Sequence, residues 1–193
     1  QSLVGSEMCI RDSDGIVDTD DYLVIAIESF GNGISSSPSN SEDSPKFSIK
    51  DIVTFQYKFL KEEFNIDNVH AIVGVSMGGH ITYEWMTEYP DFASKFLPIE
   101  GAPWHTNYDM LLYVARENAL NGDFSKDSEI LKATKTITAL DGLMLWTPDY
   151  VEREYGNLGF DDWFNTLQKR GNTRDYLVNR KSQNDALISH DIR

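Results

Sequence analysis

The chain predicts an α/β fold, a parallel sheet flanked by helices, with a helical cap following it. Three observations carry this. Short runs of mostly branched apolar residues stand at 22–28, 68–75 and 96–100. Segments with helical periodicity separate the later runs, and after Trp104 only helical periodicity remains. Strands alternating with helices at this spacing call for parallel pairing through crossover connections.

The elements follow in order. "YLVIAIE" (22–28) is nearly all apolar and ends at a turn cluster, which predicts a buried strand of the parallel-sheet kind. "SFGNGISSSPSNSEDSP" (29–45) is a Gly/Ser/Pro/Asn loop. Ile49, Ile52, Val53, Phe59 and Leu60 lie on one helical face, and Ser48 with Asp51 three residues later resembles a capping box. "NVHAIVGV" (68–75) is a second strand, 77–89 a helix stopped by Pro90, and "FLPIE" (96–100) a third strand. Residues 107–121, 125–146, 148–155, 160–170 and 173–189 read as short helices with no convincing strand between them. The expected division is therefore 14–103 as sheet-based core and 104–193 as helical cap.

Composition excludes several functions. Of 193 residues, 17 are Lys or Arg and 31 Asp or Glu, a net charge of −14, and no basic patch is concentrated enough to hold a phosphate backbone. Nucleic acid is not an expected partner. The longest uninterrupted apolar run, Leu23 to Ile27, is far short of the ~20 residues of a membrane helix. With Cys9 the single cysteine, no internal disulfide is expected. A cytoplasmic protein without membrane association fits these facts. From Leu3 onward, "LVGSEMCIRDS" translates, in register, a common transposase-type sequencing adapter. Residues 1–13 are accordingly set aside from fold reasoning.

The chemistry is carried by "AIVGVSMGGHITYEWM" (71–86). Gly-x-Ser-x-Gly is a weak pattern alone, but Gly74-Val75-Ser76-Met77-Gly78 stands between a predicted strand and a predicted helix. That context presents a serine at a strained turn, with the glycines relieving crowding where strand meets helix. Backbone N–H groups at the helix start favour an oxyanion there, the N–H of Met77 being one donor. A glycine-rich turn with an inert serine is the plain alternative. A phosphate-binding loop is a second, against which no Lys-Ser/Thr follows and the Gly-x-Gly-x-x-Gly spacing is absent.

The stretches "FGNGISSSPSN", "VGVSMGGHITYEWMTEYPD" and "FLPIEGAP" resemble the α/β-hydrolase superfamily and, more narrowly, its homoserine O-acetyltransferase-like branch. "DGIVDTDDYLVIAI" resembles that family's lead-in to its fourth strand, so the clear match runs from about residue 14 to 103, the cap matching loosely in "TPDYV" and "NDALISHDI". The resemblance implies that Ser76 is a nucleophile forming an acyl-enzyme whose acyl group passes to a hydroxyl or to water. It implies small-molecule acyl donors and acceptors, with acetyl-CoA as a co-substrate in the transferase case. No bound cofactor or metal is called for, and a two-fold homodimer is compatible with it. Val75, His80 and Ile81 replace a Gly, Met and Gln usual in the acetyltransferases, and no arginine follows 96–100 where the branch would hold an amino-acid carboxylate, Arg116 being the nearest. An ester hydrolase is thus as well supported as a homoserine acetyltransferase. A non-catalytic binding or scaffold module of the same fold is the reading from another class.

The resemblance places the triad's acid and base after late strands, beyond the cap, in the order Ser, acid, His. Among the four histidines, His70 is expected to be structural at the start of a strand, and His80 to lie on the helix after Ser76. His105 is a candidate for the substrate pocket, and His190 ends the last predicted helix, which it could cap. Glu100, at the end of 96–100, is a candidate for the pocket or for the acid. The expectation is that base and acid lie outside this chain, and that it is a partial α/β-hydrolase fold truncated at both ends and inactive alone. The family's third strand would sit between 22–28 and 69–75, so those two must pair directly or leave unpaired edges.

Overall fold

In a computed structural model of the protein, the structure describes residues 20–168 and 171–193. The adapter-like segment and Cys9 lie outside the described residues. The expected helices form: α1 (Ile49–Phe64), α2 (Met77–Glu88), α3 (Asn107–Leu120), α4 (Asp127–Leu145), α5 (Pro148–Tyr155), α6 (Phe160–Gln168) and α7 (Arg174–Ile188). Strands β1 (Val69–Val75) and β2 (Ala93–Ile99) pair in parallel, with α2 as the crossover between them.

Helix α1 starts where its sequence says. The Ser48 side chain accepts from the Asp51 N–H while the Asp51 carboxylate accepts from the Ser48 N–H, satisfying two donors that the helix cannot. It ends at Asn65, which adopts the left-handed conformation (φ 52°) and returns its N–H to the Leu60 carbonyl. Thr106 and Asp109 form the same reciprocal cap on α3. The inner faces of α1 and α2 meet the sheet in one core holding Ile49, Ile52, Val53, Leu60, Ile81, Trp85 and Phe92. Inside it the Trp85 indole N–H donates to Gln56 Oε1 at 3.0 Å, so neither buried polar group is left unmatched.

Residues 22–28 depart from expectation. Ile25 and Ile27 pack against the core, but the segment joins no ladder, and the sheet among the described residues has two strands. Strand pairing requires a neighbour with free backbone groups. Among the described residues 22–28 makes no such pairing with the outer edge of β1 or of β2. Leu23 is 86% exposed, and Tyr22 rests its ring on His70 with centroids 5.0 Å apart. β1 also differs from the buried strand expected at 68–75, and β2 shares its pattern. Ile72 and Phe96 face the helices, while Val73, Val75, Leu97 and Ile99 alternate onto a face that nothing among the described residues covers. β2 starts three residues before the predicted run, since pairing of Val69 with Ala93 draws the polar Ser94-Lys95 pair into the ladder.

A second core lies among α3, α4 and α7, with Leu120, Phe124, Ala133, Ile137 and Leu177. Helix α7 belongs to both: Leu177 near its start is fully buried in the second, Ala186 and Leu187 near its end in the first. Beyond it, Trp104 and Asp191 form an antiparallel bridge, and the Ile192 N–H donates to the Pro103 carbonyl at 3.1 Å. No helix among the described residues is long and apolar enough to cross a membrane.

Candidate active site

Ser76 occupies the junction of β1 and α2 with φ 57° and ψ −116°, a conformation that only glycine adopts without strain. As the residue before α2 it stands where serines cap helices, yet its side chain makes no capping bond. Its N–H donates to the Ile99 carbonyl at 2.9 Å, which ties the turn to the end of β2. The hydroxyl is left on the exposed side of the turn, and among the described residues no side chain is hydrogen-bonded to it. The Ser76 carbonyl accepts from the N–H groups of Gly79 and His80. The first N–H of the helix, on Met77, has no partner within the helix, and the dipole of α2 places its positive end there.

The turn is as tight as its glycines suggest, though not at every one. A Cβ on Gly74 would lie 2.0 Å from the Gly78 carbonyl oxygen and 2.6 Å from Thr82 Oγ1. A Cβ on Gly79 would lie 2.8 Å from the Gly101 Cα, so α2 approaches the loop after β2 backbone to backbone. Gly78 is different, because a Cβ there would meet nothing within 4 Å. The crowding expected at both glycines of the pattern exists at the first and at Gly79, outside the pattern.

Glu100 follows β2 with φ 53° and is exposed. It and Ser76 are therefore two strained non-glycine residues at neighbouring strand ends. His70 sits at the start of β1, its Nε2 3.2 Å from Lys95 Nζ. The other three histidines, weighed in the sequence as separate residues, come together. The ring centroids of His80 and His105 are 4.8 Å apart, those of His80 and His190 5.2 Å, and those of His105 and His190 6.1 Å.

His80 Nδ1 lies 2.8 Å from the Ala102 carbonyl oxygen and His190 Nε2 3.2 Å from the same atom. The 2.8 Å contact calls for N–H at His80 Nδ1 in preference to acceptance from the Ala102 N–H at 3.3 Å, and His190 Nε2 donates to the carbonyl's second lone pair. His105 Nε2 lies 2.8 Å from the Leu187 carbonyl, so its ring is turned toward the end of α7. His190 does not cap α7 with its ring, which crosses to the loop after β2 while its own N–H donates to the Leu187 carbonyl at 3.0 Å. Burial pushes the His80 imidazole down to about 4, against the opposing pull of the Ala102 carbonyl, with His105 and His190 adding to the effect. Burial lowers His105 as well, against its bond to Leu187. Among the described residues no group of three or more His, Cys, Asp and Glu side chains is arranged to hold a metal ion.

Glu84 is the member of this region that the sequence reading passed over. It lies one turn after His80, buried on the same helix, with Oε2 3.4 Å from His190 Nδ1. A carboxylate on a helical face carrying Ile81 and Trp85 was the available signal. Arg116, the arginine nearest β2 in sequence, is buried and gives both Nε and Nη2 to Asp141 Oδ1, with Arg180 at 3.6 Å from Asp141 Oδ2. Every arginine among the described residues has a carboxylate partner.

Residues 11–123 match the family model described as the alpha/beta hydrolase fold. The chain is similar to the ethyl acetate hydrolase of Pseudomonas veronii, 31% identical over 159 residues that make up 75% of this chain and 46% of that protein. It is also similar to the homoserine O-acetyltransferase of Sulfurimonas autotrophica, 35% identical over 134 residues, 60% of this chain and 35% of that one. Among solved structures, the acetyl esterase MekB superposes with a TM-score of 0.75 at 26% identity, over 83% of this chain and 52% of that chain. The chain spans about half the length, or less, of the curated relatives it matches.

Proposed function

The chain belongs to the α/β-hydrolase fold family, and on that footing we propose that Ser76 is the nucleophile of an acyl-transfer reaction in the whole protein, with short acyl esters as donors and water as the preferred acceptor. The observation that carries this reading is the Ser76 backbone, φ 57° and ψ −116°, held at a strand-to-helix turn with the hydroxyl released from capping. Backbone strain of this kind costs on the order of 1–3 kcal/mol and persists where the surroundings enforce it. Here Gly74, Gly79 and the bond from Ser76 N–H to Ile99 enforce it.

In the proposed reaction the Ser76 oxygen attacks the ester carbonyl carbon while a general base takes its proton. The carbonyl oxygen becomes an oxyanion facing the Met77 N–H and the positive end of α2. Collapse expels the alcohol, which takes the proton back, and leaves an acyl-serine. Water, deprotonated by the same base, then releases the carboxylic acid and restores the hydroxyl. Base and acid are assigned to parts of the whole protein other than the residues surrounding Ser76 here, since among the described residues no histidine is hydrogen-bonded to the Ser76 hydroxyl. Glu100, beside the turn, is proposed as a wall of the acyl pocket and not as the acid. No bound cofactor or metal takes part in these steps.

Water is favoured over an amino-acid hydroxyl by the state of Arg116. Its guanidinium fork is already engaged with Asp141, so it offers no free bidentate site for an acceptor carboxylate. The ethyl acetate hydrolase and acetyl esterase among the similar proteins support the same choice of donor.

The test uses the whole protein from which this chain comes. It is expected to hydrolyse acetyl esters, to lose at least a thousandfold in kcat on Ser76→Ala, and to leave acetyl-CoA intact when homoserine is added. Acetyl-CoA consumed only with homoserine present would convert the reading to the transferase. Ester hydrolysis undiminished by Ser76→Ala would end it.

A further inference from the structure

Behind the Ser76 turn, His190 and Glu84 face each other in a way that does not suit a neutral imidazole beside an ionised carboxylate. Their side chains are 1% and 8% exposed, and His190 Nδ1 stands 3.4 Å from Glu84 Oε2. The contact is not aligned as a hydrogen bond, and His190 Nδ1 has no other partner. The other nitrogen, Nε2, is committed as a donor to the Ala102 carbonyl, so a neutral His190 would carry a bare lone pair at Nδ1. That lone pair and an ionised Glu84 would then be two acceptors pressed together out of water, an arrangement that is costly for both.

We propose that His190 and Glu84 hold one proton between them, and that this buried proton clamps the segment after α7 to the loop after β2. With the proton in place, the pair is an imidazolium against a carboxylate, and the contact becomes attractive. The clamp joins three elements: α2 through Glu84 and His80, the loop after β2 through Ala102, and the segment after α7 through His190. The bond from Ile192 N–H to Pro103 and the Trp104–Asp191 bridge continue the same attachment.

The remaining charged and titratable groups around the pair are otherwise occupied. From α2 and the loop after β2, His80 and His105 are both held toward the neutral form, chiefly by burial. From α3, Asp109 is bonded by Thr106, and Tyr113 packs its ring on His105. From α1, Lys50 is bonded to Glu88, leaving Glu84 only a weaker pull. Asp191, next in sequence to His190, is paired with Arg193. His190 is thus the cation available to Glu84. Without that proton the two acceptors would repel, and the segment after α7 would no longer be held to the loop. The clamp stands on its own geometry. Its bearing on catalysis, through Gly101 packed on Gly79 beside Ser76, rests on the proposed role of Ser76.

Nitrogen-15 NMR of the histidine rings in this chain tests the clamp without any activity measurement. His190 is expected to show a hydrogen-bonded proton at Nδ1 near neutral pH, absent in Glu84→Gln, where the side-chain amide donates to a neutral ring instead. Hydrogen-exchange protection of the Ile192 N–H should fall at least tenfold in Glu84→Leu, which removes the carboxylate. In Glu84→Gln it should stay level. An Nδ1 without a proton would overturn the proposal, as would equal protection of the Ile192 N–H in wild type and Glu84→Leu. If the variant does not fold, the wild-type spectrum alone decides.

Discussion

Replacing Gly74 and Gly78 separately by alanine sets two positions of the same pattern against each other. At Gly74 the new methyl carbon would sit 2.0 Å from the Gly78 carbonyl oxygen and 2.3 Å from its carbon, both backbone atoms. Ordinary contact lies ~1.5 Å further out, so the first turn of α2 must move as a unit. Overpacking of this severity costs at the upper end of the usual range, ~3 kcal/mol. At Gly78 nothing lies within 4 Å of the added carbon, and the residue is already helical. Alanine there gains ~0.5–1 kcal/mol of helix propensity. The two variants should therefore differ by nearly ~4 kcal/mol, which for a chain of this length separates their melting temperatures by about ten degrees. Thermal melts followed by far-ultraviolet circular dichroism, supported by urea titrations, would measure it. A Gly74→Ala protein melting within a degree or two of wild type would refute the geometry of the turn. So would a Gly78→Ala protein melting as low as its counterpart.

Two further outcomes are expected of the same region. Ser76→Gly should raise stability by about 1 kcal/mol, since glycine occupies φ 57° without the penalty serine bears; a urea midpoint equal to or below wild type would contradict the strain. His80 is pushed down to about 4 from its ordinary 6.5, so the folded chain keeps the ring neutral while the unfolded chain binds a proton below about 6.5. Its contribution is present above that value and is lost as pH falls toward 4, on the order of 2 kcal/mol after allowance for solvent screening. Urea midpoints of wild type and His80→Gln between pH ~7.5 and ~4.5 would reveal it as a shallower pH dependence in the variant. Parallel curves would remove His80 from the account.

How much of this was legible depended on how local each feature is. The helices could be placed because caps and periodicity are properties of neighbouring residues: Ser48 with Asp51 acts within one turn. The Ser76 turn was legible for the same reason, its glycines and helix start lying within six residues. Residues 22–28 were misjudged because a strand is completed by a partner, and an apolar run carries no record of whether one is beside it. The histidine cluster was out of reach because His80, His105 and His190 come from three distant stretches, joined only when the Ala102 carbonyl draws two of the rings to itself. Glu84 escaped notice because its meaning depends on that meeting.

Helix α7 gives the molecule a lever. Its 15 residues make a rod of ~22 Å with Leu177 anchored in one core and Leu187 in the other. A tilt of only ~5° about Leu177 carries the far end of the helix, ~16 Å away, by ~1.4 Å, more than the ~0.5 Å a hydrogen bond can stretch before it breaks. Small rearrangements among α3 and α4 are thereby delivered, enlarged, to Ala102 and its two histidines. The cap and the serine turn cannot move independently while that rod is seated at both ends.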